Sequence, residues 1–63
     1  MKIKYDKITD SLYIVLSNLP IEESEEKKGV ILDYSIDGQL IGIEILNASK
    51  TAIETGKVEY EYA

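Results

Sequence analysis

The stretch DYSIDGQLIGIEIL, residues 33–46, decides how this chain is read. The pair Asp37-Gly38 stands between two runs in which apolar residues alternate with others. Such a pair predicts a two-residue type I′ hairpin, because both centre positions of that turn need positive φ. With this turn Ile36 faces Gln39, Tyr34 faces Ile41, Leu32 faces Ile43 and Val30 faces Ile45, which makes one apolar side. On the reverse, Ser35 faces Leu40, Asp33 faces Gly42 and Ile31 faces Glu44, a mixed side. A slip by one residue breaks every pair, so the register is strongly specified. Gly42 in mid-strand is unfavourable unless something needs its space, and Asp33 directly opposite is placed to use it.

Toward the amino terminus, KIKY (2–5) alternates, with Ile3 and Tyr5 on one side and two lysines on the other. Outward lysines suit an edge strand, where they discourage unwanted pairing. DKITDS (6–11) reads as a turn, with Asp6 and Asp10 folding back onto its own backbone. In SLYIVLS (11–17), Leu12, Ile14 and Leu16 share one face, and Tyr13 and Val15 the other. A four-residue loop, 7–10, sets Tyr5 opposite Leu12 and Ile3 opposite Ile14, apolar beside apolar. NLPIEESEEKKG (18–29) is the polar segment. Pro20 ends the strand, since proline cannot donate to a ladder. Glu22, Glu23, Glu25 and Glu26, followed by Lys27 and Lys28, predict a solvated connector with room for a short helical turn. An acidic patch for a partner is the sharper alternative.

Beyond Leu46, Asn47 or Ser49 serves as a helix N-cap and Gly56 as a stop. A short helix near 48–55 fits between them, with Ala48, Ala52 and Ile53 as its apolar residues. KVEYEYA (57–63) alternates again, as a further strand or as a tail that orders on a partner.

At 63 residues the chain makes one domain at most, 1–63, and a lone copy buries too little surface to be more than marginally stable. Without cysteine or histidine, it has no disulfide, no thiolate metal site and no Ser-His-Asp arrangement. Self-association is the remedy left for a small core. The net charge is −5 and every basic side chain is lysine. Direct binding of nucleic acid is therefore disfavoured, and a basic protein is the natural complement. MKIKY leads straight into strand-like sequence, and no apolar run approaches about 18 residues, so the expectation is a soluble, cytoplasmic chain without a membrane partner.

The words YDKITDSLYIVL and GVILDYSIDGQLIGIEILNAS, in that order, resemble the domain of unknown function 2283 family. Tyr5, Asp6, Asp10, Leu12, Tyr13 and Ile14 carry the first part of the likeness. Gly29, Asp33, Tyr34, Gly38, Gly42, Ile43, Glu44, Ile45, Leu46, Ala48 and Ser49 carry the second. The resemblance runs from Lys2 to about Ile53 and leaves the last residues outside. It brings no catalytic residue. Some members resemble the smaller acidic partner of two-gene toxin–antitoxin-like pairs, which implies an interaction role beside a small basic protein.

Asp33 and Glu44 form the candidate polar cluster, on one face and diagonally offset. Diagonal neighbours across strands lie about 7–8 Å apart. Two carboxylates at that range can hold a divalent cation or divide acid and base roles. No third ligand, Gly-rich phosphate loop or sugar-binding word accompanies them, so no catalytic residue, metal ligand or cofactor is assigned. Their expected role is to accept hydrogen bonds from turn or helix-start amides, with Glu44 reaching the helix that begins near Ala48. The candidate interface is Tyr13, Val15, Ile31, Leu40, Tyr60 and Tyr62, because tyrosine joins a large apolar body to a polar tip.

The expected fold is α+β. A small antiparallel four-stranded β-meander spans 2–46, with strands near 2–6, 11–17, 29–36 and 39–46. A short helix over 47–56 and an extended tail over 57–63 follow. Leu12, Ile14, Leu16, Val30, Leu32, Tyr34, Ile41, Ile43 and Ile45 are the expected core, with a second copy of the chain completing one face. The first functional reading is a non-enzymatic interaction protein, antitoxin-like, binding a basic protein through an acidic β-surface. A homo-oligomer, most simply a dimer, and a carboxylate-based metal-dependent enzyme are the alternatives.

Overall fold

The computed structural model describes residues 1–51 and 54–63. Five antiparallel strands form one sheet: β1 (Lys2–Asp6), β2 (Ser11–Val15), β3 (Glu23–Lys27), β4 (Val30–Tyr34) and β5 (Leu40–Ile45). A helical segment, α1 (Ala48–Thr51), follows among the described residues. The order across the sheet is β1-β2-β5-β4-β3.

The first hairpin has the expected register, with Tyr5 opposite Leu12 and Ile3 opposite Ile14. Asp6 accepts hydrogen bonds from the amides of Ile8 and Thr9 and so closes the turn.

The expected four-stranded meander is corrected in two ways. The polar connector contains a strand, β3, which pairs with β4 from Glu23 opposite Tyr34 to Lys27 opposite Val30. Its turn, Lys28-Gly29, has both residues at positive φ, 52° and 83°. This is the conformation expected of a type I′ hairpin. In addition, β2 pairs with β5, not with β4. A simple meander would leave LIGIEI, the most apolar strand, on an edge. The observed order puts it in the centre and gives the charged KIKYD and ESEEK the two edges, where charge blocks further pairing.

At Asp37-Gly38 only the glycine has positive φ, at 83°. The Gly38 amide donates to the Ser35 carbonyl, and the Ser35 amide to the Gln39 carbonyl, so the loop has three residues. Tyr34 therefore pairs with Leu40 instead of Ile41. The shift is undone one step inward, where the register slips between Asp33 and Tyr34 and leaves Ile41 as the extra residue. From Asp33 opposite Gly42 to Val30 opposite Ile45, the pairs are those the alternation predicts. Ile41 keeps its place in the sheet because its carbonyl accepts from the amides of Leu16 and Ser17.

Few side chains are shut away from water. Ile41 is 3% exposed and Ala48 fully covered, while Leu12, Ile14, Val30, Leu32, Ile43 and Ile45 are only half-buried. Leu16, expected in the core, lies beyond the end of β2 and is exposed. The expected helix over 48–55 is described for one turn, and Ala52 and Ile53 lie outside the described residues. Residues 57–63 form no strand, and Tyr60 and Tyr62 meet edge to face at 5.6 Å. No helix among the described residues is long and apolar enough to cross a membrane.

Candidate functional site

Partners across a ladder share a face, so the registers sort the side chains into two surfaces. The apolar face carries Ile3 and Tyr5 of β1, Leu12 and Ile14 of β2, Ile43 and Ile45 of β5, and Val30, Leu32 and Tyr34 of β4. Glu23, Glu25 and Lys27 of β3 border it, and the Tyr34 hydroxyl donates to Glu25 at 3.3 Å. The mixed face carries Lys2, Lys4, Tyr13, Val15, Ile31, Asp33, Glu44, Ser24 and Glu26.

Of the candidate interface residues, Tyr13, Val15 and Ile31 share the mixed face and are half-buried. Leu40 does not belong with them. The three-residue turn pairs it with Tyr34, which turns it to the apolar face. Tyr60 and Tyr62 stand apart in the tail, 75% and 87% exposed.

Asp33 and Glu44 keep their diagonal relation on the mixed face. Neither reaches a helix-start amide, which corrects the expected role. Asp33 Oδ1 accepts the Ser24 hydroxyl from β3 at 2.6 Å. Its Oδ2 lies 3.4 Å from where a Cβ on residue 42 would sit, so the missing side chain of Gly42 makes room for this carboxylate. A hollow of about 250 Å³ opens here, lined by Tyr13, Val15, Asp33 and Gly42 and by Leu19 and Ile21 of the connector. Glu44 stands opposite Tyr13, and hydrogen bonding to its carboxylate pushes the Tyr13 hydroxyl up from the ordinary tyrosine value. The Lys4 ammonium lies 5.9 Å from the centre of the Tyr13 ring. No group of three carboxylates among the described residues is arranged to hold a metal ion.

The most connected polar group lies outside the Asp33–Glu44 pair and centres on Asp10, expected from sequence to serve only its own turn. Asp10, at φ 55°, joins the β1–β2 turn to α1 across 39 residues of sequence. Its carboxylate accepts from the Tyr5 hydroxyl at 2.6 Å, the Ser49 amide at 3.1 Å and the Ser49 hydroxyl at 2.7 Å. Its carbonyl accepts the Ala48 amide at 2.9 Å. These bonds hold the Asp10 carboxyl below its ordinary range, the Tyr5 hydroxyl first and Ser49 next, and the same contact raises Tyr5. The N-cap acceptor thus comes from a distant turn, not from the Asn47 or Ser49 side chain. Tyr5, Asp10 and Ser49 all stand in the words that carry the family resemblance, which was the available signal. The arrangement is structural, since each donor in it, from Tyr5, Ala48 and Ser49, is spent on Asp10 and ties the turn to α1.

The family described as "Protein of unknown function (DUF2283)" matches residues 2–49, a span that holds all five strands and ends on Ser49. A curated relative, "Uncharacterized protein MJ0789" of Methanocaldococcus jannaschii, is 34% identical over 50 residues. The aligned part is 79% of this chain and 43% of that protein, so the chain spans less than half of its length. No solved structure matches.

Proposed function

The chain belongs to the family of proteins of unknown function DUF2283, and on that premise we propose that it is a non-enzymatic contact protein whose apolar sheet face is closed by a second copy. One observation carries this reading. A folded monomer of 7.1 kDa exposes about 4,100 Å² by the usual scaling of area with mass, whereas this chain exposes 5282 Å². The surplus is about 1,200 Å², part of it in the tail, and a typical interface takes about 800 Å² from each partner. The stripe of Leu12, Ile14, Val30, Leu32, Ile43 and Ile45 is left partly open on one side of the sheet, and it carries no charge. Stacking two such faces makes a sandwich in which the glutamates of β3 stay at the wet rim.

A second reading concerns the other face. Glu26, Asp33 and Glu44 surround the apolar Ile31 there, and the only ion pair among the described residues, Lys57 with Glu59, lies in the tail. Three carboxylates around an apolar centre, against Lys2 and Lys4 on the same face, leave a net negative charge that favours a small basic protein as partner. An antitoxin-like role is one instance of this and rests on the sequence resemblance. Co-expression with the adjacent open reading frame, followed by a pull-down, tests this reading. Co-purification of a basic product supports it, and recovery of the chain alone counts against it.

A further inference from the structure

We propose that the hollow over Gly42 is an anchor site for a lysine side chain of a basic partner, an inference that rests on the second reading above. Gly42 lines the hollow, and the Asp33 carboxylate on the neighbouring strand lies beside it, Oδ2 being 3.4 Å from where a Cβ on residue 42 would sit. Asp33 thus lines a cleft of about 250 Å³ together with Tyr13 and Val15 of β2 and Leu19 and Ile21 of the connector. Leu19 and Ile21 are 46% and 61% exposed, so apolar wall surface is available to a ligand.

The chemistry of the lining selects the occupant. Apolar walls above a carboxylate match a side chain with a long aliphatic stem and a cationic head. Between lysine and arginine, the occupancy of Asp33 decides. Its Oδ1 is engaged by the Ser24 hydroxyl at 2.6 Å, which leaves Oδ2 as the free acceptor facing the hollow. Arginine gains most from a carboxylate that offers both oxygens to its fork, whereas an ammonium is a point charge satisfied by one. Lys4 does not fill the place, since it pairs with no carboxylate in the described residues and lies over the Tyr13 ring. Glu44, opposite Tyr13, adds negative potential from the adjoining strand.

The test uses the full chain, ¹⁵N-labelled, titrated with n-butylammonium as the lysine side-chain probe and followed by amide chemical shifts. Saturable shifts centred on Tyr13, Asp33 and Gly42, with a dissociation constant on the order of 10 mM, are expected for so small a ligand. n-Butanol at equal concentration should give no saturable response, and n-propylguanidinium should bind no more tightly than the ammonium. Asp33→Asn should weaken binding about tenfold, the usual scale for losing a charge-assisted hydrogen bond. Gly42→Ala places a methyl 3.4 Å from Asp33 Oδ2 and 3.5 Å from the Ile14 carbonyl, a contact the fold tolerates, and should weaken binding by crowding the oxygen that takes the ammonium. Equal shifts with butanol, linear shifts spread over the sheet, or unchanged affinity in a folded Asp33→Asn or Gly42→Ala chain overturns the proposal. Should Asp33→Asn fail to fold, Gly42→Ala decides alone. A saturable amine site without any co-purifying basic protein would sink the partner reading and leave the site standing.

Discussion

Truncating Ile43 to alanine separates an open sheet from a closed one. Ile43 lies on the apolar face between Ile14 of β2 and Leu32 of β4, and in a lone copy it is half-buried. Full burial of an isoleucine side chain contributes about 1.5–3 kcal/mol, and the part of Ile43 left open in a lone copy gives up a fraction of that. Ile43→Ala in a lone chain should then cost about 1–2 kcal/mol. With a second copy over the face, the side chain is fully enclosed, and the cost rises to about 2–5 kcal/mol. Ile41 supplies the internal reference. It is 3% exposed within one chain, so Ile41→Ala should cost about 2–5 kcal/mol whether or not copies associate. The assay is urea unfolding followed by circular dichroism at two protein concentrations about a hundredfold apart. In an associated chain the Ile43 cost should approach the Ile41 cost. The wild-type midpoint should rise with concentration, because association stabilises the folded state by mass action. Where alanine leaves too little folded protein, Ile→Val at both positions gives the same comparison at about 0.5–1.5 kcal/mol. An Ile43 cost of about 1–2 kcal/mol, with a midpoint independent of concentration, would refute the reasoning.

Three further outcomes follow from the geometry. Gly38→Ala should cost about 1–2 kcal/mol in the same urea assay, because φ is +83° and nothing lies within 4 Å of the added methyl, so the penalty is backbone strain alone. Asp10→Asn should lower the melting temperature at neutral pH. The native Asp10 carboxyl titrates below its ordinary value of 3.8, so its contribution is fully present above that value and is lost as the pH falls through the native value. Melting curves of the two proteins should therefore converge in acid, and a constant difference down to pH 2 would contradict the assigned hydrogen bonds. Removing residues 57–63 should change stability by less than about 0.5 kcal/mol, since the tail forms no strand and its tyrosines are exposed.

Much of the sheet was legible because alternation is a strong signal where one side is apolar. The pairs from Val30 opposite Ile45 to Asp33 opposite Gly42 were readable in that way, as was the hairpin of Tyr5 and Leu12. β3 escaped because both of its faces are polar, so ESEEK carries no period-two contrast, and its Lys28-Gly29 turn lacks the Asn or Asp that usually marks a type I′ hairpin. Pairing the strands in chain order, β2 beside β4, is what puts β5 at the edge of the expected sheet and not at its centre. The pairing of Leu40 was misjudged because two irregularities, the wider turn and the extra residue at Ile41, cancel one step inward and leave no trace in the pattern beyond Gly42. Asp33 and Glu44 were placed on the correct face by counting alone. What Asp33 touches was not countable, since Ser24 sits on the strand that was missed. Asp10 was read as a local turn residue because its partner, Ser49, lies 39 positions away and only the closed fold brings the two together.

Light scattering coupled to size exclusion, over a range of loading concentrations, tests the self-association claim most directly. A species at twice the chain's 7.1 kDa is the result that closure of one oily surface on its twin requires. A well-folded particle holding at 7.1 kDa across that range, with the side chains of Ile14, Leu32 and Ile43 freely accessible to solvent, would contradict it.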